Sequence, residues 1–267
     1  MLSPKISVII PVYNAEKTVG NILEKLISQN YKNIEIIAVN DGSKDDSWKI
    51  LQKFAKKDKR IITINQKNAG ASAARNVGIE KAAGDFITFI DSDDDISDQL
   101  ILTLAKQIKK NMDFIMCGMS INGKEIVAPD TFIKNKKLIT QYVLKSLLVK
   151  NLFYGPCCKL FLRSIILDNK IRFPEEIKYG EDTIFVLNYL SRVSTILIIN
   201  QSLYMYQNTS AGLAASNNSI LKYRKARSGA LELFIRDISC PKIKVVYTLL
   251  KIRWNIAYIK ALLLRNK

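Results

Sequence analysis

The sequence predicts an α/β protein with a mainly parallel central sheet flanked by helices, followed by a helical C-terminal extension. Over residues 1–97, short β-branched runs alternate with segments whose apolar residues recur at helical spacing. This alternation is typical of βαβ units. The chain has 267 residues, 48% of them apolar, so it can bury the core of one large domain or of a domain with a subdomain.

The first part of the chain contains four expected strands separated by helices. The strands are Ile6–Ile10, Ile34–Val39, Ile61–Ile64 and Asp85–Ile90. The helices are expected at residues 15–28, from about residue 46, and at residues 71–82. Ser43 and Asp46 resemble a capping pair that opens the second helix, and Gly84 follows the third as a terminator.

Polar segments follow three of these strands, at residues 11–14, 40–43 and 91–95. Parallel strands place their carboxyl ends at one edge of the sheet, which is where ligands of such sheets bind. The three segments therefore predict one binding site at that edge.

After residue 97 the pattern is less regular. Helices are expected at residues 98–110, 136–149 and 181–192, and strands at residues 113–121, 124–128 and 195–206. Asn122-Gly123 predicts a hairpin turn between the first two of these strands, whereas residues 154–180 read as irregular. We expect one domain over residues 1–210 and a basic helical extension over residues 211–267.

The formal net charge is +17, which indicates an anionic partner such as nucleic acid, a diphosphate substrate or the anionic inner leaflet. Charge alone does not select among them. The segment from Ser239 onward has no acidic residue, yet its basic residues do not gather on one helical face. Both a membrane-surface helix and a packed helix with outward-reaching lysines remain open.

The chain contains no histidine, so zinc hydrolases with histidine ligands and Ser-His-Asp catalysis are excluded. A general base or an oxygen-ligated metal site must rest chiefly on carboxylates. Four cysteines without CxxC spacing indicate reduced thiols in a cytosolic protein. Neither an export signal nor a membrane-spanning stretch is expected, since the first apolar run ends at Pro11.

Asp91-Ser92-Asp93 is the strongest chemical signal in the chain. It follows an apolar strand, and two carboxylates two residues apart at a strand end can converge on one hard cation. Mg²⁺ or Mn²⁺ bound there would neutralise a departing diphosphate. The alternative is an acidic loop that caps the next helix.

Four motifs in order resemble the nucleotide-binding half of the inverting family-2 glycosyltransferases. They are SVIIPVYN at 7–14, VNDGS at 39–43, NAGASAARN at 68–76 and DSD at 91–93. The resemblance covers residues 5–95 closely and continues loosely to about residue 206. It implies a GT-A fold, with a nucleotide-binding half at residues 1–97 and an acceptor-binding half at residues 98–210.

The resemblance implies donor contacts at the first two strand ends. Pro11 and Val12 offer backbone groups and Tyr13 an aromatic face for a nucleobase, although Tyr13 could also be rim packing. The aspartate matching Asp41 accepts a hydrogen bond from the base in the family. Asp41 before Gly42 is equally reasonable as a turn residue.

Further donor contacts are implied around the third helix and the fourth strand. Asn68 and Gly70 would shape the loop, and Arg75 would lie beside the nucleotide unless it is a surface arginine. Asp91-Ser92 would contact the nucleotide sugar, with Asp91 on the ribose. Asp93 would be the main protein ligand of the metal, and the roles of Asp94 and Asp95 stay open.

In the second half, Glu181-Asp182 resembles the family's acceptor-side motif. The aspartate matching Asp182 deprotonates the attacking hydroxyl there, whereas a helix-dipole role is the local alternative. Glu181 and Lys159 are tentative acceptor-side residues, and Lys159 could instead form a salt bridge. No QxxRW-type segment of processive synthases is evident, which favours addition of a single sugar.

These features predict a bacterial enzyme that moves one sugar from a nucleotide sugar, with UDP as the expected carrier, to a saccharide acceptor. The resemblance and the basic tail favour a polyprenyl-diphosphate-linked acceptor of capsule, exopolysaccharide or O-antigen synthesis at the cytosolic membrane face, without a nucleic-acid partner. Two alternatives remain open. A nucleotidyltransferase would release pyrophosphate, and a nucleic-acid-binding protein would cluster basic and aromatic residues along a groove.

Overall fold

The computed structural model describes residues 3–149, 152–177, 180–207, 228–236, 247–250 and 252. The strands are β1 Ile6–Val12, β2 Ile34–Asp41, β3 Ile61–Gln66, β4 Phe86–Phe89, β5 Asp95–Ile96, β6 Phe114–Ile121, β7 Lys124–Ile126, β8 Thr131–Ile133, β9 Lys159–Leu162 and β10 Ile196–Tyr206. The helices are α1 Val19–Ser28, α2 Ser47–Lys57, α3 Ala71–Lys81, α4 Leu100–Ala105, α5 Lys136–Val149, α6 Arg163–Asp168 and α7 Glu181–Leu190.

All the described strands join one sheet, whose main path is β3-β2-β1-β4-β9-β6-β10-β5. The first four strands of this path pair in parallel, as do β6 and β10. Helices connect the parallel strands, as crossover connections require. The predicted α/β class, with its mainly parallel sheet flanked by helices, is confirmed for the described residues.

The alternation of side chains along β1 divides the core into two clusters. Val8 and Ile10 belong to the cluster that contains α1, whereas Ile9 belongs to the cluster that contains α3 and α7. Successive strand residues point to opposite faces, so a strand covered on both sides is apolar throughout. This explains the uninterrupted apolar run that the sequence shows here.

The prediction for residues 154–180 was wrong, because this stretch contains β9 and α6. β9 pairs antiparallel with both β4 and β6 and therefore joins the two halves of the sheet. Its four residues are too few to establish a periodicity, and its strand conformation depends on neighbours far away in sequence. The strand β8 was missed for the same reason.

The predicted capping pair at Ser43 and Asp46 is also wrong. The Ser43 hydroxyl accepts a hydrogen bond from the Asn14 amide, 3.0 Å away, and Asp46 caps no helix amide with its side chain. Asp45 is the residue that binds the Ser47 amide, at 3.0 Å. The loop after β2 thus uses its polar side chains to bind the end of β1.

Other boundaries differ by smaller amounts. The helix expected at residues 98–110 spans only Leu100–Ala105, and the one expected at 15–28 begins at Val19. The Asn122-Gly123 hairpin is confirmed, with φ of 50° and 75° at the two turn residues. Within the described residues, every helix is too short or too polar to span a bilayer. The predicted extension at 211–267 lies mostly outside the described residues.

Candidate active site

Asp41 ends β2 and organises the loop that leads into α3. Its buried carboxylate accepts hydrogen bonds from the Gln66 amide group (2.7 Å) and from the backbone amides of Ala69 and Gly70 (2.8 Å each). Asn68 in turn donates to the Asp41 carbonyl at 2.9 Å. The strand end and the helix entrance therefore form one rigid unit. The implied hydrogen bond from Asp41 to a base stays a prediction.

Two glycines allow these loops to approach each other closely. Gly42 has φ of 68°, and a Cβ there would lie 2.7 Å from the Asn68 nitrogen. Gly70 has φ of 98° and stands directly before α3. Both conformations favour glycine, so the loops keep backbone amides at the carboxyl edge of the sheet.

Pro11 and Val12 end β1, and Tyr13 follows the strand directly. Val12 is buried, so only its backbone can face a ligand, whereas Tyr13 is 48% exposed. An exposed aromatic ring at a strand end is available for stacking. Its predicted contact with a nucleobase is compatible with this position and remains a prediction.

Asp94 is the most deeply buried carboxylate of the loop after β4, 4% exposed. It accepts hydrogen bonds from the Tyr204 hydroxyl (2.5 Å) and the Gln207 amide (2.9 Å). Burial, together with the negative charges of Asp91 and Asp93, raises the pKa of Asp94 to about 7 despite the lowering effect of the Tyr204 hydrogen bond. Several carboxylates therefore lie in one small region, where their negative charges repel one another.

The loop after β4 offers two carboxylates of the kind that bind a hard divalent cation, and metal binding there stays a prediction. Oxygen atoms of Asp91 and Asp94 and the Cys157 sulfur lie within 4.8 Å of one another. A bound cation would relieve the mutual repulsion of carboxylates that Mg²⁺ or Mn²⁺ accepts as ligands. Asp93 is half-buried and lies outside this group, so its role as metal ligand stays a prediction. Ser92, which is predicted to contact the nucleotide sugar, is buried.

Arg75 connects the two halves of the site. It projects from α3 and is 5% exposed. One terminal nitrogen donates to Asp91 Oδ1 at 2.8 Å and the other to Asp182 Oδ1 at 3.0 Å, with Glu181 Oε1 at 3.8 Å. The alternative of a surface arginine is therefore wrong. Residues separated by more than a hundred positions converge on one guanidinium.

Asp182 lies in the first turn of α7, with its side chain 31% exposed. Burial raises its pKa to about 7; Arg75 opposes the shift, and the charges of Glu181 and Asp91 add to it. A carboxyl group whose pKa is raised toward 7 is suited to proton transfer near neutral pH. Asp182 and Asp91 bind the same guanidinium, and the role of Asp182 as base stays a prediction.

Lys159 lies at the start of β9 and is fully buried. Its ammonium donates to the Cys157 carbonyl at 3.1 Å and approaches the Cys158 sulfur at 3.8 Å. Because Lys159 is fully buried, its exposure gives no support to the tentative acceptor contact. That contact stays a prediction. The thiols of Cys117, Cys157 and Cys158 are free, as predicted, and Cys240 lies outside the described residues.

Sequence reasoning missed two partners of the acidic loop, Cys157 and Tyr204. Cys157 pairs with Phe89, the last residue of β4, through an isolated β-bridge. This pairing brings the Cys157 sulfur to 3.6 Å from Asp91 Oδ2. The Tyr204 hydroxyl accepts from the Asp91 amide and donates to Asp94. No local pattern could reveal these contacts, because sheet pairing between distant strands creates them.

A parallel sheet with such a carboxylate and guanidinium cluster beyond its strand ends defines an α/β protein with one polar ligand site. The family model of glycosyl transferase family 2 matches residues 7–168. The chain belongs to glycosyltransferase family 2 and has the GT-A fold of that family. This confirms the resemblance drawn from the four motifs.

A relative from Bacillus subtilis is the glycosyltransferase EpsJ, 31% identical over 211 residues. The match covers 76% of this chain and 61% of EpsJ, so the chain spans about three fifths of that relative.

Two solved structures share the fold. S. aureus TarS 1–349 in complex with UDP-GlcNAc has a TM-score of 0.77 at 22% identity, covering 95% of this chain and 73% of that one. The mannosyltransferase PcManGT from Pyrobaculum calidifontis, in complex with GDP-Man and Mn²⁺, has a TM-score of 0.65 at 14% identity, covering 97% and 72%.

Proposed function

We propose that this chain transfers one sugar from a nucleotide diphosphate, UDP in the first instance, to a hydroxyl of a saccharide acceptor with inversion at the anomeric carbon. The convergence of Asp91 and Asp182 on Arg75 carries this proposal. It brings a donor-side carboxylate and an acceptor-side carboxylate to opposite arms of one buried side chain. Family membership supplies the class of reaction.

Asp182 is the proposed base. Its carboxylate is half-buried at the start of α7 and binds Arg75, which also binds Asp91 of the loop after β4. The acceptor hydroxyl would lose its proton to Asp182 Oδ while its oxygen attacks the anomeric carbon and the diphosphate departs on the other side. Direct displacement of this kind inverts the anomeric centre.

The donor half would hold the nucleotide. Tyr13 offers its exposed ring to the base, and the loop ordered by Asp41 presents the backbone amides near Gly70. Asp91 is the proposed ligand of the ribose, and Asp93 is the proposed ligand of the cation. Asp94 lies beside Asp91 and would offer a further oxygen donor. When bound, Mn²⁺ or Mg²⁺ would neutralise the charge that develops on the diphosphate. The cation in the mannosyltransferase structure agrees with this expectation.

For the acceptor we propose a polyprenyl-diphosphate-linked saccharide of bacterial cell-surface polysaccharide synthesis. The net charge of +17 favours peripheral contact with the anionic inner face of the membrane. Nucleic acid is not part of the proposal, because carboxylates dominate the site and would repel phosphates that arrive without a cation.

The substitution Asp182→Asn tests the assigned base. The amide keeps the shape of the side chain but cannot accept the proton, so we expect hydrolysis or transfer of the donor sugar to fall about 10²- to 10⁴-fold. UDP-GlcNAc and UDP-glucose with Mn²⁺ serve as donors, water as acceptor, and UDP release as the signal.

UDP binding is the control for this substitution. Calorimetry should give Asp182→Asn a UDP dissociation constant close to that of the wild type, because Asp182 lies on the acceptor side. Turnover at the parental rate would show that another group is the base.

A further inference from the structure

The contacts of Arg75 differ from those of an arginine that waits for a diphosphate. Both terminal nitrogens of its guanidinium are bound to carboxylates, one of Asp91 and one of Asp182. The N–H at Nε is buried and has no hydrogen-bond partner among the described residues. The Arg75 side chain is 6% exposed, so an anionic ligand would meet a guanidinium that two carboxylates already bind.

The packing around Arg75 fixes the direction of its side chain. The guanidinium carbon lies 5.3 Å from the centre of the Phe173 ring. Phe173 itself stacks on Phe185 of α7 with the ring centres 3.9 Å apart. The aromatic support for Arg75 is thus attached to the helix that carries Asp182, and a guanidinium held this way loses little rotational freedom on binding.

From this geometry we infer that Arg75 is the positioning residue of Asp182. Its planar fork holds the candidate base of the acceptor half at a fixed place relative to Asp91 of the donor half. The inference rests on the proposed function, in which Asp182 takes the proton. It assigns Arg75 to the base rather than to the diphosphate.

Four charged groups face Asp182 from the elements around it. Arg75 on α3 and Lys159 at the start of β9 lower its pKa, whereas Glu181 on α7 and Asp91 after β4 raise it. Arg75 is the only one of these cations within hydrogen-bond distance in the described structure. Burial raises the pKa of Asp182 most strongly, and Arg75 is the largest influence that lowers it.

The titration of the Asp182 carboxyl in the ligand-free full chain tests this inference. Carbon-13 NMR of labelled aspartate, with Asp182→Asn to assign the signal, reports its pKa directly. Arg75→Gln should raise this pKa by about 1 to 3 units, the range for a carboxylate that loses an arginine neighbour. An unchanged pKa in this variant would overturn the inference.

Glu181→Gln is the matched control, since it removes a charge 3.8 Å from the same nitrogen but with the opposite sign. It should lower the pKa of Asp182. General loosening of the site would move both variants the same way, and that result would also count against the inference. Arg75→Lys, should Arg75→Gln not fold, keeps the charge without the fork and should raise the pKa by less.

Kinetics distinguish the inference from a role in donor binding. In Arg75→Lys, kcat for donor hydrolysis should fall and recover partly above pH 8, while the dissociation constant of UDP changes less than about threefold. UDP binding weakened more than about tenfold, with an unmoved pKa of Asp182, would assign Arg75 to the diphosphate instead. Because the NMR readout needs no turnover, it stands even when the proposed reaction fails.

Discussion

At the scale of single residues, the site contains carboxyl groups whose charged form is disfavoured by the surrounding protein. Asp94 and Asp182 both have a pKa raised to about 7, chiefly through burial, and each lies close to other acids. Such groups are typical of sites where a cation or a proton is to be bound. Their placement favours function over stability.

The raised pKa of Asp182 has a consequence for folding that can be measured. Between the unfolded value near 3.8 and the folded value near 7, the native protein binds more protons than the unfolded chain. This carboxyl therefore supports stability at low pH, and its contribution is lost as the pH rises to 7.

We expect Asp182→Asn to gain unfolding free energy relative to the wild type as the pH rises from 5 to 7.5, by a difference on the order of 1 kcal/mol. Urea unfolding at several pH values measures it. A difference that does not vary with pH would contradict the raised pKa.

Tyr204 provides a second residue-scale prediction. Its buried hydroxyl is shared between the Asp91 amide and the Asp94 carboxylate. Tyr204→Phe leaves both without this partner, so we expect a stability loss of about 1–3 kcal/mol and an affinity for Mn²⁺ reduced about 10- to 100-fold.

Urea unfolding and electron paramagnetic resonance of Mn²⁺ provide the two measurements for this substitution. Tyr206→Phe is the matched control, because Tyr206 is 43% exposed on the same strand. Equal losses of stability and of Mn²⁺ affinity in both variants would show that Tyr204 does not support the cation site.

At the scale of elements, α3 must lie very close to β1 to bring Arg75 over the strand ends. Gly78 makes this possible, because a Cβ at that position would lie 2.4 Å from Ile9 Cγ2. Gly20 in α1 is different, since a Cβ there would meet Phe54 at an ordinary 3.8 Å.

Two glycine-to-alanine substitutions should therefore have opposite effects. Gly78→Ala should destabilise the protein by about 1–3 kcal/mol through overpacking. Gly20→Ala should stabilise it by about 0.4–1 kcal/mol, because alanine has the better helix propensity and less freedom in the unfolded chain. Thermal and urea unfolding of the two variants measure this, and a neutral Gly78→Ala would show that α3 can shift on the sheet.

The elements also show where prediction from sequence succeeds. β1 and β2 have long apolar runs, and α3 lies between Gly70 and Gly84; the sequence predicts all three close to their observed bounds. β9 and β8 have three or four residues each, and only pairing partners far away in sequence define them. Short strands of this kind carry too little local information to be predicted.

The candidate site follows the same division. The strand-end rule predicts that Asp41 and Asp91 lie at one edge of the sheet, whereas only the family resemblance pointed to Asp182. The bridge through Arg75 and the hydroxyl of Tyr204 could not be read from spacing, since each joins residues about a hundred positions apart.

At the scale of the whole molecule, a strongly positive net charge contrasts with a locally acidic site. The net charge is +17, while the site gathers carboxylates from two halves of the sheet. This contrast is the basis for proposing a cation-bound diphosphate at the site and contact with an anionic membrane elsewhere.

We expect the full chain to sediment with vesicles that contain about a third anionic phospholipid and to be released by about 0.5 M salt, which screens charge beyond a few ångström. Vesicles of neutral phosphatidylcholine are the control. Equal binding to both, or binding that salt does not weaken, would indicate a different mode of attachment.

The stereochemistry of the released sugar tests the central claim most directly. In the proposed arrangement, Asp182 delivers the nucleophile opposite the diphosphate, so an α-linked UDP-sugar hydrolysed with Mn²⁺ must first yield the β anomer. Proton NMR in the first minutes, before mutarotation, distinguishes the two anomers. Initial β product, absent in Asp182→Asn, is the predicted result, and initial α product would contradict a base that lies across the cleft from the donor.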